Sequence, residues 1–528
     1  MKNCVGFFYH AIRLSAFVVI LLFSVNCEDA SQRSRRGTVF IGIRADFDSL
    51  NELNAADTDA LQVIKYMLFM PLTRLDQDLN FEPYLAEKWE LSENNRAVTF
   101  FLRKDVRWTD GRQTTAKDVL FTYDIATNPE VAYPAASRFD LVDRVVLVDD
   151  YTVRFELKKA YPDVLYDLQM PILPAHILES LSPENLLTTP FNRQPIGNGP
   201  FILAEWKANE SIVFTANQEF PLGPPKLDRV VFSVIPDESI LLTNLQAGTV
   251  DLVPRLTPEN VRQLKSSEIT IRSFPGRIFT FVGWNLDRPI LSRPVRRAFT
   301  HAISKKEIIE TLLQGYGKPA IGPLTPMAWA YNEKQQDVPY DPAKAGELLS
   351  REGWIDRNGD GIRDKSADPL EITIKVNSAS RLRQDVAVLI QAQLKKIGVR
   401  VRIQQLEWNV FIDQVFQESD FDGVILAWDT DFTVNPTDLW HSDAIKNGYN
   451  FVSYDNVRID ELLELGRNAA NRETAQPYWD EFQQTIINDC PYTFLFIQDN
   501  IVAFNDRLQG CVFDLRSLLV NIHDWWTL

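Results

Sequence analysis

The residues best placed to do chemistry follow a short apolar run, Phe421 to Trp428 (FDGVILAW), where Trp428, Asp429 and Asp431 stand almost side by side. A run of this kind suits a strand buried on both faces. In open α/β sheets ligands gather beyond the carboxyl ends of such strands, where loops and unpaired backbone groups converge. The pattern points to binding more than to reaction. The chain contains no G-x-S-x-G elbow, no H-E-x-x-H, no G-x-x-x-x-G-K-[ST] and no C-x-x-C, the local signatures of hydrolases, metalloproteases, NTPases and dithiol redox centres. A motif search does not see a triad assembled from distant residues, but nothing local argues for one, and the expectation is that the chain is not an enzyme.

Metal chemistry has equally little footing. The five histidines, His10, His176, His301, His441 and His523, show no ligand spacing, and imidazole sites usually draw on several. Asp356 to Asp364 (DRNGDGIRD) matches the first half of a calcium loop, with Gly361 at the sixth place where the chain must turn sharply. Position twelve is Ala367, where a bidentate Glu is needed, so the segment reads as a tight Asp/Asn/Gly turn. No metal and no cofactor are expected.

Composition bounds the rest. The 528 residues, 45% apolar and 24% charged with 12 Trp and 32 Phe, form a globular profile too long for one ordinary core. The formal net charge is −16, and no Lys/Arg-dense stretch interleaved with aromatics offers a track for nucleic acid. At the N-terminus, Lys2 and Arg13 precede the apolar run Leu14 to Val25. That run suits a signal-peptide core and falls well short of the roughly 20 residues needed to span a bilayer. Residues 1–26 therefore read as a signal peptide. Cys27 ends the apolar run and opens the polar tether 27–37, in the manner of a lipoprotein cysteine that is acylated and becomes the new N-terminus, although Asn26 stands where a small residue is usual. With Cys4 removed and Cys27 modified, Cys490 and Cys511 are left in an oxidising compartment. A disulfide between them and two separate buried thiols both fit the sequence.

The elements that must position these residues alternate. Thr38 to Ile43 reads as the first strand, and Val98 to Leu102 as another ahead of an Asp110-Gly111 turn. Thr115-x-x-Asp118 marks a capped helix start. Strands recur at Val145 to Val148, Val153 to Leu157, Phe201 to Trp206, Ser211 to Ala216 and Val230 to Ile235. Pro294 opens an amphipathic helix, Ser304-x-x-Glu307 caps another, and the run Val386 to Ile397 ends at Gly398 before the alternating strand Val399 to Gln404.

The chain resembles the peptide/nickel-binding solute receptors of ABC importers, extracytoplasmic family 5. The resemblance is carried by Phe81–Glu90 (FEPYLAEKWE), Thr99–Gly111 (TFFLRKDVRWTDG), Lys117-Asp118-Val119, Ile172–His176 (ILPAH), Gly197–Phe201 (GNGPF), Lys226-Leu227-Asp228 and Asn244–Asp251 (NLQAGTVD). In the C-terminal part it continues through Trp440-His441-Ser442, Asn450–Tyr454 (NFVSY) and Pro491–Phe496 (PYTFLF). Where such proteins usually carry an Asp-Pro-Asp-Pro-like loop, this chain has Val434-Asn435-Pro436-Thr437, one carboxylate fewer.

The resemblance implies an α/β fold of the periplasmic binding protein-like class II, two lobes with a hinge and an extra subdomain in the first lobe. The expected division is lobe I over 38–273, lobe II over 274–494, and a C-terminal segment 495–528 returning to lobe I, with crossings near Phe274-Pro275-Gly276 and Phe494 to Gln498. It implies an oligopeptide receptor, a monomer of the periplasm or cell envelope, held to the membrane by lipid at Cys27 and serving ABC permease and ATPase subunits. A nickel-chelate or sugar-type receptor and, outside transport, a surface adhesion lipoprotein are the alternatives. An extended peptide can be held through its backbone by a strand edge, while its terminal ammonium needs a carboxylate, expected at Asp429 or Asp431. Trp428, Trp440 and Trp284 are candidates to stack on the ligand, Asn285 to hydrogen-bond it, Asn198 and Gly199 to let the chain approach it, and His441 to bind nickel or a nickel chelate, against a plain capping or hydrogen-bonding role.

Overall fold

The computed structural model describes residues 36–528; the signal segment and Cys27 lie outside the described residues. One mixed eleven-stranded sheet runs through the molecule. From one edge its strands are Arg400–Leu406, Glu371–Asn377, Gly423–Asp429, Ile269–Trp284, Tyr492–Asn505, Leu252–Val253, Thr38–Ile43, Arg229–Val234, Ser211–Ala216 and Phe201–Lys207, with Gly317–Pro319 added alongside Tyr492–Asn505. A separate four-stranded antiparallel sheet (Ala86–Leu91, Ala97–Leu102, Thr152–Leu157, Val142–Asp149) packs beside the helix Ala116–Ala126.

Two long strands, Ile269–Trp284 and Tyr492–Asn505, pair along the middle of the sheet. Ile269–Pro275 pairs antiparallel with Asp499–Asn505, and Phe279–Gly283 pairs with Tyr492–Ile497, the register slipping between Pro275 and Phe279. On one side of this slip Ile271 and Ile501 join a small core around Leu245 and Val250. On the other, Phe279, Phe281 and Phe494 enter a core with Trp440 and Trp479. The slip has a local cause. Proline cannot donate to the ladder, and a side chain at Gly276 would run into the carbonyl oxygen of Gln498.

The first lobe's core gathers residues from Val39 to Phe232 and is completed by Val502, Phe504 and Trp525 from the chain's end. In the second lobe the strand Gly423–Asp429 is sandwiched. Ile425 packs with Val282, Trp284 and Ile374 on one face, and Val424 and Leu426 pack with Phe281 and Phe451 on the other. Burial is complete over its first four residues and opens only at Ala427, Trp428 and Asp429, so the strand's carboxyl end emerges from the core at the interlobe gap.

Local signals act as their chemistry demands. Thr115 and Asp118 form the expected capping box, and the Asp118 carboxylate, buried, also accepts from the Ala175 amide at 2.9 Å. Ser304 caps the helix Lys305–Leu312 by accepting from Glu307 N. The reciprocal bond is diverted: Glu307 Oε2 accepts from Gln393 Nε2 (2.7 Å) and Gln393 Oε1 accepts from Ser304 N (3.1 Å), so two helices share one cap.

Candidate functional site

Asp431 stands two residues past the end of the emerging strand and reaches across to the first lobe. Its Oδ1 accepts from the Tyr166 hydroxyl at 2.6 Å and from its own chain's Phe432 amide at 2.8 Å, and its Oδ2 accepts from Arg138 Nη2 at 3.3 Å. The Arg138 guanidinium lies 5.3 Å from the Tyr166 ring centroid. A carboxylate offers about four lone-pair sites; three are engaged here, which leaves one on Oδ2 for a further donor. Burial, and next the charge of Asp431, hold the Tyr166 phenol well above its ordinary range, so it acts as a fixed donor.

A second junction lies nearby. Asp163 of the first lobe, 13% exposed at its side chain, accepts from Trp329 Nε1 (2.7 Å), the Val434 amide (3.2 Å) and Arg472 Nη2 (3.4 Å), all from the second lobe. The Arg472 guanidinium sits about equally far from the rings of Phe81 and Trp329, at 5.0 and 5.1 Å, one ring from each lobe. An apolar plug of Leu75 and Tyr166 from the first lobe with Met327 and Phe432 from the second packs across the lobes.

These contacts divide the interlobe space. One cavity of about 490 Å³ has Arg138, Asp163, Asp167, Asn435 and Trp479 in its wall. Another, of about 300 Å³, lies against the crossing strands and has Phe274, Arg277, Asp429 and Asn500 in its wall. Asp429 faces that hinge-side cavity, paired with Arg277 Nη2 at 2.6 Å. Trp428, half-buried, donates to the Tyr492 hydroxyl at 3.3 Å and stacks on Phe281 at 6.2 Å. Burial, reinforced by the neighbouring Asp163 charge, pushes the Asp167 carboxyl up to about 7.

A two-lobed body with carboxylates and rings meeting at a hinged gap is the geometry of a solute trap, and comparison with known proteins decides which. The family model for bacterial extracellular solute-binding proteins, family 5 (Middle), matches residues 80–450. The oligopeptide-binding protein AppA of Bacillus subtilis is 32% identical over 97% of this chain and 98% of its own. The chain belongs to the bacterial extracellular solute-binding proteins, family 5.

Among solved structures this family 5 receptor is similar to AppA in complex with a nonapeptide (31% identity, TM-score 0.69, covering 93% of this chain and 99% of that one). It is also similar to NikZ of Campylobacter jejuni in complex with Ni(L-His) (28% identity, TM-score 0.73, covering 93% of this chain and 100% of that one). As a member of a family of binding receptors, it is not an enzyme.

Several residues expected at the receptor's cleft serve its core instead. Trp284 is fully buried and donates to Thr493 Oγ1 at 3.0 Å. Asn285, also buried, gives its amide to the carbonyls of Ser419 and Phe421. Trp440 is fully buried against Tyr492, centroids 4.5 Å apart. Asn198 and Gly199 do permit a close approach, but the chain they approach is their own: both amides donate to the Leu68 carbonyl, Asn198 Oδ1 accepts from Met70 N at 2.9 Å, and a Cβ at Gly199 would lie 2.5 Å from Met67 O. They close the π-helical turn Ile64–Leu68.

His441 accepts from the Asp443 amide through Nδ1 and borders a separate shallow depression with Asp443 and Glu464. Cys490 and Cys511 are free thiols. Cys490 lies in the second lobe near Ile487, and Cys511 packs on the first lobe's core, so the bridge is not made. The Asp356 carboxylate is spent on the Gly359 and Gly361 amides, and Asp364 pairs with Arg357; among the described residues no group of three or more His, Cys, Asp or Glu side chains is arranged to hold a metal. Arg138, Asp163, Tyr166, Trp329 and Arg472 come from separate segments that carry no recognisable motif. The one local hint is the density of Tyr and Asp over 161–167 (YPDVLYD).

Proposed function

We propose that this receptor captures oligopeptides between its lobes and delivers them to an ABC permease and its ATPase subunits. In this reading lobe I spans 38–273, lobe II spans 274–494, residues 495–528 return to lobe I, and the protein is a monomer tethered to the membrane through acylated Cys27. The observation that carries the reading is Asp431, a carboxylate at the mouth of a buried strand with an acceptor site still open among donors from the opposite lobe. A peptide ammonium entering there gains a charge-assisted bond that offsets its desolvation. The naming of AppA as an oligopeptide-binding protein and its structure with a nonapeptide support the same ligand class.

The test is isothermal titration calorimetry of the purified protein against a peptide library and against Ni(L-His). Peptides are expected to bind, and Asp431→Asn to weaken them on the order of 100-fold, the scale of breaking one buried hydrogen-bonded charge pair. Affinity unchanged in Asp431→Asn would remove the ammonium role, and binding of the nickel chelate alone would replace peptides as the cargo.

A further inference from the structure

Trp329 stands in the walls of two cavities at once: the one of about 490 Å³, and another of about 760 Å³ between the turn Asp78 to Asn80 of the first lobe and the start of the helix Arg472–Asp489 in the second. Its bonded neighbours divide between them. Asp163, which accepts from the indole Nε1 at 2.7 Å, lines the first cavity and not the second; Arg472, whose guanidinium lies 5.1 Å from the ring centroid, lines the second and not the first. The indole is the partition between the two spaces. Asp78, Asn80, Glu333 and Glu473 around the second cavity are exposed, so that cavity opens to solvent.

The segment that presents this ring is a long one without regular structure. Residues 320–341 form no helix or strand, and connections longer than about 12–15 residues of this kind are usually binding loops or lids. It is tied down on both sides of Trp329: Thr325 Oγ1 and Thr430 Oγ1 share a hydrogen bond at 2.8 Å, Met327 is fully buried, and the Ala330 carbonyl accepts from Gln476 Nε2 at 3.1 Å and Gln483 Nε2 at 3.0 Å. The backbone is therefore fixed to the second lobe. What can swing is the half-buried side chain, held by its bond to Asp163 and by the cation on its face.

We propose that Trp329 determines how long a ligand the closed receptor accommodates, its indole separating the two cavities over a short ligand and swinging aside for a long one. The proposal rests on the peptide reading above. A ligand anchored at Asp431 is led toward the partition: Thr433 and Val434 line the first cavity, and the Val434 amide bonds, at 3.2 Å, the same Asp163 carboxylate that holds the indole. An extended peptide advances about 3.3 Å per residue, so nine residues run about 30 Å, several times the width of a compact cavity of about 490 Å³. A long ligand must leave that cavity, and displacing one side chain adds the second cavity to its path.

The experiment is calorimetry on alanine-based peptides from dipeptide to nonapeptide, reading the ratio of nonapeptide to tripeptide affinity within each protein. In Trp329→Ala that ratio should rise about tenfold over the wild type, the low end of what one added group gains in a pocket. Trp329→Phe, which keeps a ring and gives up the bond to Asp163, should stay within about threefold of the wild type. A ring that only helped to close the lobes would weaken every length alike and leave the ratio unmoved. Trp329→Leu is the further variant should Trp329→Ala fail to fold, and it should raise the ratio in the same direction. An equal ratio in wild type and Trp329→Ala, with long peptides leaving past the exposed Ser137 and Asp140 on the other side of the wall, overturns the partition, as does a Trp329→Phe ratio as high as that of Trp329→Ala. If no peptide of any length binds the wild type, the peptide reading fails and the partition with it; if peptides bind with one length profile in every variant, only the partition fails.

Discussion

Asp431 and Asn198 show how two short polar side chains serve opposite ends depending on what surrounds them. Asp431 keeps an acceptor site open at the gap, while Asn198 spends its side chain within the fold, accepting from Met70 N and donating to Thr114 Oγ1 at 3.4 Å. Asn198→Ala should therefore lower unfolding free energy by about 1–3 kcal/mol, the cost of stranding the buried Met70 amide, and leave peptide affinity unchanged; chemical denaturation beside calorimetry separates the two, and a loss of affinity at full stability would return Asn198 to the cleft. The sequence makes Asp429 and Asp431 legible because a strand's carboxyl end is a local feature. It does not distinguish Trp284 from Trp428, although both close a strand in this sheet. Trp284 pairs with Gly423, deep in the second lobe, and Trp428 pairs with Phe279, close to the hinge slip. Which end of a strand faces the gap is set by its antiparallel partner, information that no window around the tryptophan contains.

At the scale of elements, the legible parts are those with their own punctuation. Capped helices and the Gly398 turn into Arg400–Leu406 announce themselves. The junction between lobes does not, because its members come from separate segments: the short helical turn after Asp163, the loop at Trp329, and the start of the helix Arg472–Asp489. Asp163 gathers three second-lobe donors on one first-lobe carboxylate, so it acts as a clasp whose bonds exist only when the lobes meet. Asp163→Ala leaves Trp329 Nε1 and the Arg472 guanidinium without that partner and should cost closure about 1–3 kcal/mol. The expected result is a larger radius of gyration by small-angle scattering and weaker peptide binding, about tenfold, with faster release. An unchanged scattering profile would mean that the crossing strands and the apolar plug hold the lobes together without it.

For the molecule as a whole, two lobes meeting over ionisable groups make closure sensitive to pH. The Asp167 carboxyl is pushed up to about 7, first by burial and then by the Asp163 charge, while Tyr161 and Arg138 oppose the rise and Asp431 adds to it. An open form that returns Asp167 to water would titrate it in the ordinary carboxylate range. Between that range and pH 7 the closed form therefore holds a proton that the open form lacks, so closure is favoured on the acid side and weakens as pH rises through 7. Asp163, raised by burial, acts in the same direction. Lys65, lowered to about 8 by burial and next by Arg138, titrates above this window. His301 and His523, lowered by burial, would blur a global unfolding curve. They lie far along the chain from the clasp and out of both cavity walls, so the open–closed equilibrium isolates Asp167 where melting does not. Interlobe fluorescence transfer between about pH 5 and 7, below the Lys65 titration, should show the closed fraction falling as pH rises. Asp167→Asn, uncharged at every pH, should flatten most of that response and stay closed at about pH 7. A closed fraction that rises with pH, or one that responds equally in the variant, would place the titration elsewhere and leave Asp167 a bystander at the gap.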